Sequence, residues 1–146
     1  MSHDIDAVVV AGDVDIERAR EFEVLEFSCA SGFTLIALGS NYVDAWADRL
    51  GIHGVVADEP LLNFSVVHHI VHEIARDTPF AILQTDYFGG QGYQVAAVYQ
   101  GNKMLMAPER ASIGPINKAL KLLGVVCAVG KDEFESLGLE RYRRWD

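Results

Sequence analysis

Short apolar runs alternate with polar or glycine-containing segments along this chain, and most of the runs have the length of a β-strand. Three of them, at 80–85, 94–100 and 103–107, follow one another closely. A glycine-rich segment at 86–92 separates the first two, and Gly101-Asn102, a common two-residue hairpin turn, separates the last two. The pattern predicts an antiparallel three-strand meander with a loop at 86–92.

The second hairpin of this meander has a predictable register. A two-residue turn places the residues that flank it directly opposite each other on the two strands. The predicted partners are Gln100 with Lys103, Tyr99 with Met104, and Ala97 with Met106. Both faces of the middle strand are then largely apolar, which indicates a central strand covered by helices on at least one side.

Two further apolar runs, at 5–11 and 33–40, predict buried strands, and 125–129 predicts a short strand or a buried extended piece. Ser40 or Asn41 is expected to cap one helix, because a short polar side chain can accept a bond from an unpaired helical amide. Helical spacing and stop signals predict helices at about 15–22, 41–50, 61–76 and 115–123, and a short one within 131–140.

The composition agrees with a single globular domain over residues 1–146. Half of the residues are hydrophobic and 23% are charged, a balance that suits a chain long enough to bury a core. The predicted fold class is α/β in the α+β sense. It consists of a mixed sheet that contains the three-strand meander, covered by helices.

The formal net charge of −9 limits the classes of partner. It argues against nucleic acid, whose binding needs a basic face, and favours attraction to a basic protein. No apolar run is long enough to span a bilayer, so no membrane partner is expected. The N-terminal residues are acidic ahead of a short apolar run, unlike a secretory signal, so a cytoplasmic location is expected.

Neither cysteine points to a metal centre. Cys29 and Cys127 lie far apart in the sequence, without a CxxC pair or another metal-type spacing. We expect two buried thiols rather than a disulfide, because nothing in the chain indicates export to an oxidising compartment.

A histidine cluster, His68 to Glu73, gives the first candidate site. His68 and His72 are four residues apart on the predicted helix, so they can share a divalent metal at one edge of its buried face. The sequence HEIAR is not a zincin motif, because Arg76 stands where the second histidine is needed. The competing interpretation is that these histidines are ordinary surface and boundary residues.

The segment from Asp86 to Gly92 gives the second candidate site. Its glycines could form an anion-binding nest, but known phosphate loops lead into a helix, and here a strand follows. The other interpretations are a purely structural loop and a loop that contacts a partner or ligand through a displayed Tyr-Phe pair. The candidate partner-binding residues are Asp86, Tyr87, Phe88, Gly89, Gly90 and Gly92.

The second half of the chain carries recognisable motifs. They are TDYFGGxG at 85–92, GPINxALxLLGV at 114–125 and DEFESLGLxRxR at 132–143. In these motifs the chain resembles a family of small bacterial proteins, widespread in actinobacteria, whose activity is unknown. The resemblance implies a shared fold and no particular chemistry. It includes Asp86 to Gly92 and excludes the histidine cluster.

No arrangement typical of a nucleophilic enzyme stands out, so catalytic residues are not predicted. The predicted function is a non-enzymatic module that binds a basic protein, as an inhibitor or immunity protein would. The alternative is a small metal-dependent or ligand-binding enzyme that uses His68, His72 and the segment Asp86–Gly92. No cofactor is expected beyond that divalent metal. Self-association into a homo-oligomer is the other partner hypothesis.

Overall fold

A mixed β-sheet with helices on both faces forms the body of the fold. The structure is a computed structural model, and it describes residues 3–24, 27–30, 32–88, 91–127, 129–130, 132 and 144–145. Its strands are β1 His3–Val10, β2 Phe27–Ala30, β3 Phe33–Ala37, β4 Phe80–Phe88, β5 Gln91–Gln100, β6 Lys103–Ala111 and β7 Arg144–Trp145. Its helices are α1 Ile16–Glu21, α2 Ser40–Leu50, α3 Ser65–Ala75 and α4 Pro115–Leu123. The predicted α+β class is confirmed.

The first strand of the chain lies in the middle of the sheet, whose order is β2-β3-β1-β4-β5-β6. β1 pairs antiparallel with β3 on one side and, along its whole length, with β4 on the other. β7 runs parallel to the start of β1 and makes the sheet mixed. Every residue from Ala7 to Val10 is buried, because a central strand covered on both faces has no polar side to present.

Two hydrophobic cores lie on opposite faces of the sheet. Helices α1, α2 and α3 cover one face, which carries Val8, Ile82 and Tyr99. Helix α4 covers the other face, where Ile116 and Leu120 pack in one core with Val9 and Leu83. Successive strand residues point to opposite faces, so Val9 and Leu83 lie opposite Val8 and Ile82. The sheet therefore has helices on both faces.

The meander is present, but the predicted loop at 86–92 is wrong. β4 continues to Phe88 and β5 begins at Gln91, with these two residues paired across a two-residue connection. Asp86 and Gly92 are strand residues, and Gly89 and Gly90 lie outside the described residues. Threonine and aromatic residues favour extended backbone, and this preference extends the strand further than the glycines suggested.

The predicted register of the second hairpin is correct next to the turn and shifts beyond it. Gln100 pairs with Lys103 and Tyr99 with Met104 as predicted, but Met106 pairs with Val98 instead of Ala97. The register shifts because β6 contains more residues than β5 over the same length, starting at Leu105. Gly101 in the turn has a φ of 58°, a conformation that favours glycine.

Two helix starts differ from the prediction. The N-cap of α2 is Gly39, and no side chain caps this helix, so the expected cap at Ser40 or Asn41 is wrong. α3 begins at Ser65 instead of residue 61, because the preceding residues fold back on themselves. Val55 forms an isolated antiparallel bridge with Phe64 there.

The chain after α4 also differs from expectation in its described part. Residues 125–127 form no strand, and Cys127 is exposed where a buried thiol was expected. The short helix predicted within 131–140 lies outside the described residues, apart from residue 132. Among the described residues, no helix is long and apolar enough to cross a bilayer.

Truncating a leucine of α4 tests the core under this helix. Leu120 is fully buried, whereas Leu122 on the same helix is 53% exposed. Leu120→Ala is expected to lower the free energy of unfolding by about 3 kcal/mol, because it removes buried methyl groups and leaves a cavity. Leu122→Ala is the control, with an expected loss of roughly 0.5 kcal/mol or less. Equal losses in urea denaturation would contradict the placement of α4.

Candidate functional site

The connection between α2 and α3, residues 52–64, is here called the crossing segment. It lies on the face of the sheet that carries the three helices. Leu62 is part of the core on that face, and the amide of Leu61 donates to Gln84 Oε1 on β4 at 3.1 Å. Two cavities are lined partly by this segment, one by Ile52 and Val56 and the other by Leu61, Leu62 and Phe64. The position of the segment therefore shapes both cavities.

Asn63 fixes the crossing segment through a buried set of hydrogen bonds. Its side chain is 1% exposed, and Nδ2 donates to the backbone oxygen of Glu59 at 2.9 Å and to the Tyr99 hydroxyl at 2.7 Å. Its Oδ1 lies 2.5 Å from His68 Nε2. The Asn63 backbone adds a bond from the amide of Val56 at 2.7 Å. One buried amide thus joins the segment, β5 and α3.

These bonds determine the tautomer of His68. The backbone oxygen of Glu59 can only accept, so the amide nitrogen of Asn63 must face it and the amide oxygen must face the imidazole. His68 Nε2 therefore carries the proton and donates. In the neutral ring, Nδ1 is then an acceptor.

Burial keeps the imidazole of His68 neutral. It lowers the pKa of His68 to about 4, since desolvation disfavours the charged form. The ring meets Tyr99 edge to face, with centroids 4.6 Å apart, and Phe80 at 5.4 Å. Burial also raises the pKa of Tyr99, against the opposing effect of its bond from Asn63.

The first cavity, here called the histidine pocket, has a volume of about 450 Å³. Helix α3 contributes its three histidines to the lining, and β5, the 101–102 turn and β6 close the other side. The lining residues are Ile52, Val56, Ser65, His68, His69, His72, Tyr99, Gly101, Asn102 and Met104. His69, which the predicted metal pair did not include, also belongs to this lining.

The predicted metal pair lies in this pocket, but its geometry offers no complete metal site. One nitrogen of His68 is engaged by Asn63, and His72 is exposed. Within the part of the chain that the structure describes, no three His, Cys, Asp or Glu side chains are grouped so that they could hold a metal ion. A metal at His68 and His72 stays a prediction from spacing alone.

The second cavity, here called the acidic groove, has a volume of about 350 Å³. It lies between the start of α2 and the end of the crossing segment. Its lining residues are Asp6, Leu38, Gly39, Ser40, Val43, Asp44, Leu61, Leu62 and Phe64. The side chains are mostly apolar, and both charged groups are carboxylates.

Asp86 lies near the acidic groove and far from the histidine pocket. On adjacent strands Asp86 pairs with Asp4, while Gln84, on the same face, pairs with Asp6 of the groove. Phe80, which touches His68, is six residues back along extended β4, roughly 20 Å away. The structure therefore separates the histidine pair from Asp86, which the sequence analysis combined in one alternative site.

For the other residues of the predicted partner site, the structure describes at most the position of the backbone. Tyr87 pairs with Gly92 and with His3, and Phe88 pairs with Gln91. Gly89 and Gly90 lie outside the described residues. The partner-binding role of this segment stays a prediction.

Comparison with known proteins gives no assignment. No protein-family model matches the chain, and no curated protein or solved structure shows significant similarity to it. The resemblance of the TDYFGGxG and GPINxALxLLGV motifs to a bacterial family therefore stays a prediction.

Sequence reasoning missed Asn63, Tyr99, Asp6 and Asp44 as site residues. One signal was visible, a lone asparagine inside the apolar stretch LLNFSVV. An asparagine among apolar residues that becomes buried must find hydrogen-bond partners, and so it indicates a polar network. No pattern along the chain indicated which strand would supply the partner tyrosine.

The depressed pKa of His68 predicts a pH effect on stability. The unfolded chain takes up the proton near pH 6.5 and the folded protein only near pH 4, so stability is complete above pH 6.5 and declines as the pH falls towards 4. Between pH 7 and pH 5, the wild type is expected to lose roughly 1–2 kcal/mol more than His68→Gln in urea denaturation. His72→Gln, on the same helix, should behave like the wild type. Equal pH dependence in the wild type and His68→Gln would contradict the neutral buried ring.

Proposed function

We propose that this protein is a non-enzymatic module that binds a basic protein partner through the acidic groove. The observation that supports it is the composition of the groove, an apolar floor with Asp6 and Asp44 as its charged residues. A partner that inserts an apolar side chain and places a lysine or arginine beside it would satisfy both parts of this surface.

Exposed apolar side chains around the groove support an interface. Leu61 is 56% exposed and Phe64 is 36% exposed, and both belong to the groove lining. Val55 and Val56 of the same segment are also exposed. Several large apolar side chains displayed together on one short segment are typical of an interaction surface.

The charge of the whole chain supports the same class of partner. The formal net charge is −9, and Asp44, Asp48 and Asp58 are exposed near the groove or on the elements that form it. This negative charge attracts a basic protein over a long range, which speeds association and makes it sensitive to salt. Asp86 lies on the same sheet face as Asp6, so the predicted segment from Asp86 to Phe88 would extend this interface.

An inhibitor or immunity protein that neutralises a basic toxin needs an acidic surface with an apolar groove, and we propose this role by analogy. We place the protein in the cytoplasm, because Cys127 presents an exposed thiol that suits a reducing compartment. The alternative, an enzyme that combines His68, His72 and Asp86–Gly92, is less well supported, since His68 and Asp86 lie near opposite ends of β4.

Charge reversal on α2 tests the groove. Asp44 lines it, whereas Asp48, one turn further on, does not. With a cationic amphipathic leucine-lysine peptide as the probe, Asp44→Lys is expected to weaken binding at low salt about fivefold more than Asp48→Lys, as roughly 1 kcal/mol of local attraction is lost. Calorimetry measures both affinities.

The matched pair separates a specific groove from general attraction. Both variants change the net charge by the same amount, so a non-specific cationic interaction would weaken equally in the two. Leu61→Ala should also weaken binding, and Leu50→Ala, an exposed leucine at the end of α2 outside the groove lining, should not. Equal effects within both pairs would contradict the proposal.

A further inference from the structure

The histidine pocket differs in charge from the rest of this acidic protein. None of its lining residues is Asp, Glu, Lys or Arg. Moving a charged ligand out of water into such a lining would be costly, because no opposite charge compensates for its lost hydration. A volume of about 450 Å³ falls within the range of small-molecule sites. The pocket therefore suits a small neutral molecule.

His68 offers such a molecule one hydrogen-bond acceptor. Its Nε2–H donates to Asn63, so the ring cannot also donate from Nδ1 while it is neutral. Among the described residues, none donates a hydrogen bond to Nδ1. A fully buried Nδ1 would then be a buried polar atom without a partner, and it is not one. Nδ1 is therefore accessible to a donor from outside the protein. The ligand should carry an N–H or O–H group.

The walls of the pocket favour a flat aromatic body. The rings of His68 and Tyr99 stand nearly perpendicular, at 81° to each other. Met104 and Val56 supply apolar surface on the other sides, and the thioether of methionine contacts aromatic rings favourably. Aromatic ligands bury much apolar area in such settings at a small loss of conformational freedom.

We propose that the histidine pocket binds a small neutral aromatic molecule with one N–H or O–H donor, which donates to His68 Nδ1. Asn63 is the positioning residue, because its bond to Nε2 leaves Nδ1 as the acceptor. The site is distinct from the acidic groove and does not depend on the basic partner. Either site can be present without the other.

Indole and 1-methylindole form a matched pair of probes. They differ in the N–H group, and the methyl group adds apolar surface. Indole is expected to bind about five- to tenfold more tightly, because 1-methylindole leaves the His68 acceptor without a partner. Titration followed by amide NMR measures both affinities. The indole-induced shifts should centre on Ser65, Gly101 and Asn102, which line the pocket.

Two substitutions on β6 provide the control for location. Met104 and Leu105 are neighbours with similar exposure, 48% and 43%, but only Met104 lines the histidine pocket. Met104→Glu should weaken indole binding at least tenfold by placing a charge in the pocket, and Leu105→Glu should leave it unchanged. Because both side chains are exposed, neither change threatens folding.

His68→Leu tests the hydrogen bond itself. It removes the acceptor and should bring the affinities for indole and 1-methylindole within twofold of each other. If this variant does not fold, the ligand pair and the two β6 variants still decide the matter. Absence of indole binding at millimolar concentration, equal affinities in the wild type, or equal effects of the two β6 changes would each overturn the proposal.

Discussion

The hydrogen bonds of Asn63 are the interaction on which both cavities depend. Two side chains of the crossing segment join the core, Leu62 fully and Ile52 in part. Its position is further fixed by the buried side-chain amide of Asn63, whose two hydrogens and oxygen all find partners, on the segment itself, on β5 and on α3. A fully paired buried amide specifies one arrangement, since any displacement would leave polar groups unpaired in the protein interior.

Two further polar contacts hold the segment at residues 59 and 61. The carboxylate of Glu59 contacts Arg110 of β6, whose guanidinium stacks 3.6 Å from the ring centroid of Tyr93. Leu61 donates to the buried side chain of Gln84. Four apolar side chains of the segment are exposed, those of Val55, Val56, Leu61 and Phe64. The same segment therefore borders a pocket without formal charge on one side and an acidic groove on the other, and the two can bind chemically different ligands.

Much of the fold followed from local patterns. The buried stripe of α3, the start of α4 at Pro115 and the turn at Gly101 are as predicted, because each depends on residues close in sequence. The errors concern features that no repeating pattern marks. The extra residue at Leu105 is an irregularity in the β5–β6 hairpin, and the late start of α3 follows from the bridge between Val55 and Phe64. No local pattern shows that Asn63 would meet Tyr99, 36 residues away.

Within the candidate sites, the sequence indicated the histidines but not their setting. The spacing of His68 and His72 suggested a shared metal, whereas the structure gives His68 an amide partner and a buried aromatic environment. Asp86 was predicted to lie in a loop and instead lies in strand β4, on the same sheet face as Asp6. That relation follows from the pairing of β1 with β4, which brings residues some 80 positions apart onto adjacent strands.

Hydrogen exchange in Asn63→Ala tests most directly whether this amide fixes the crossing segment. The amides of Val56 and Ser65 donate to backbone oxygens of the segment, and the amide of Leu61 donates to Gln84 of β4. All three amides should exchange at least tenfold faster in the variant than its change in global stability explains. Central strand amides, such as that of Val98, should follow global stability alone. If the three segment amides keep their protection relative to Val98, Asn63 does not fix the segment.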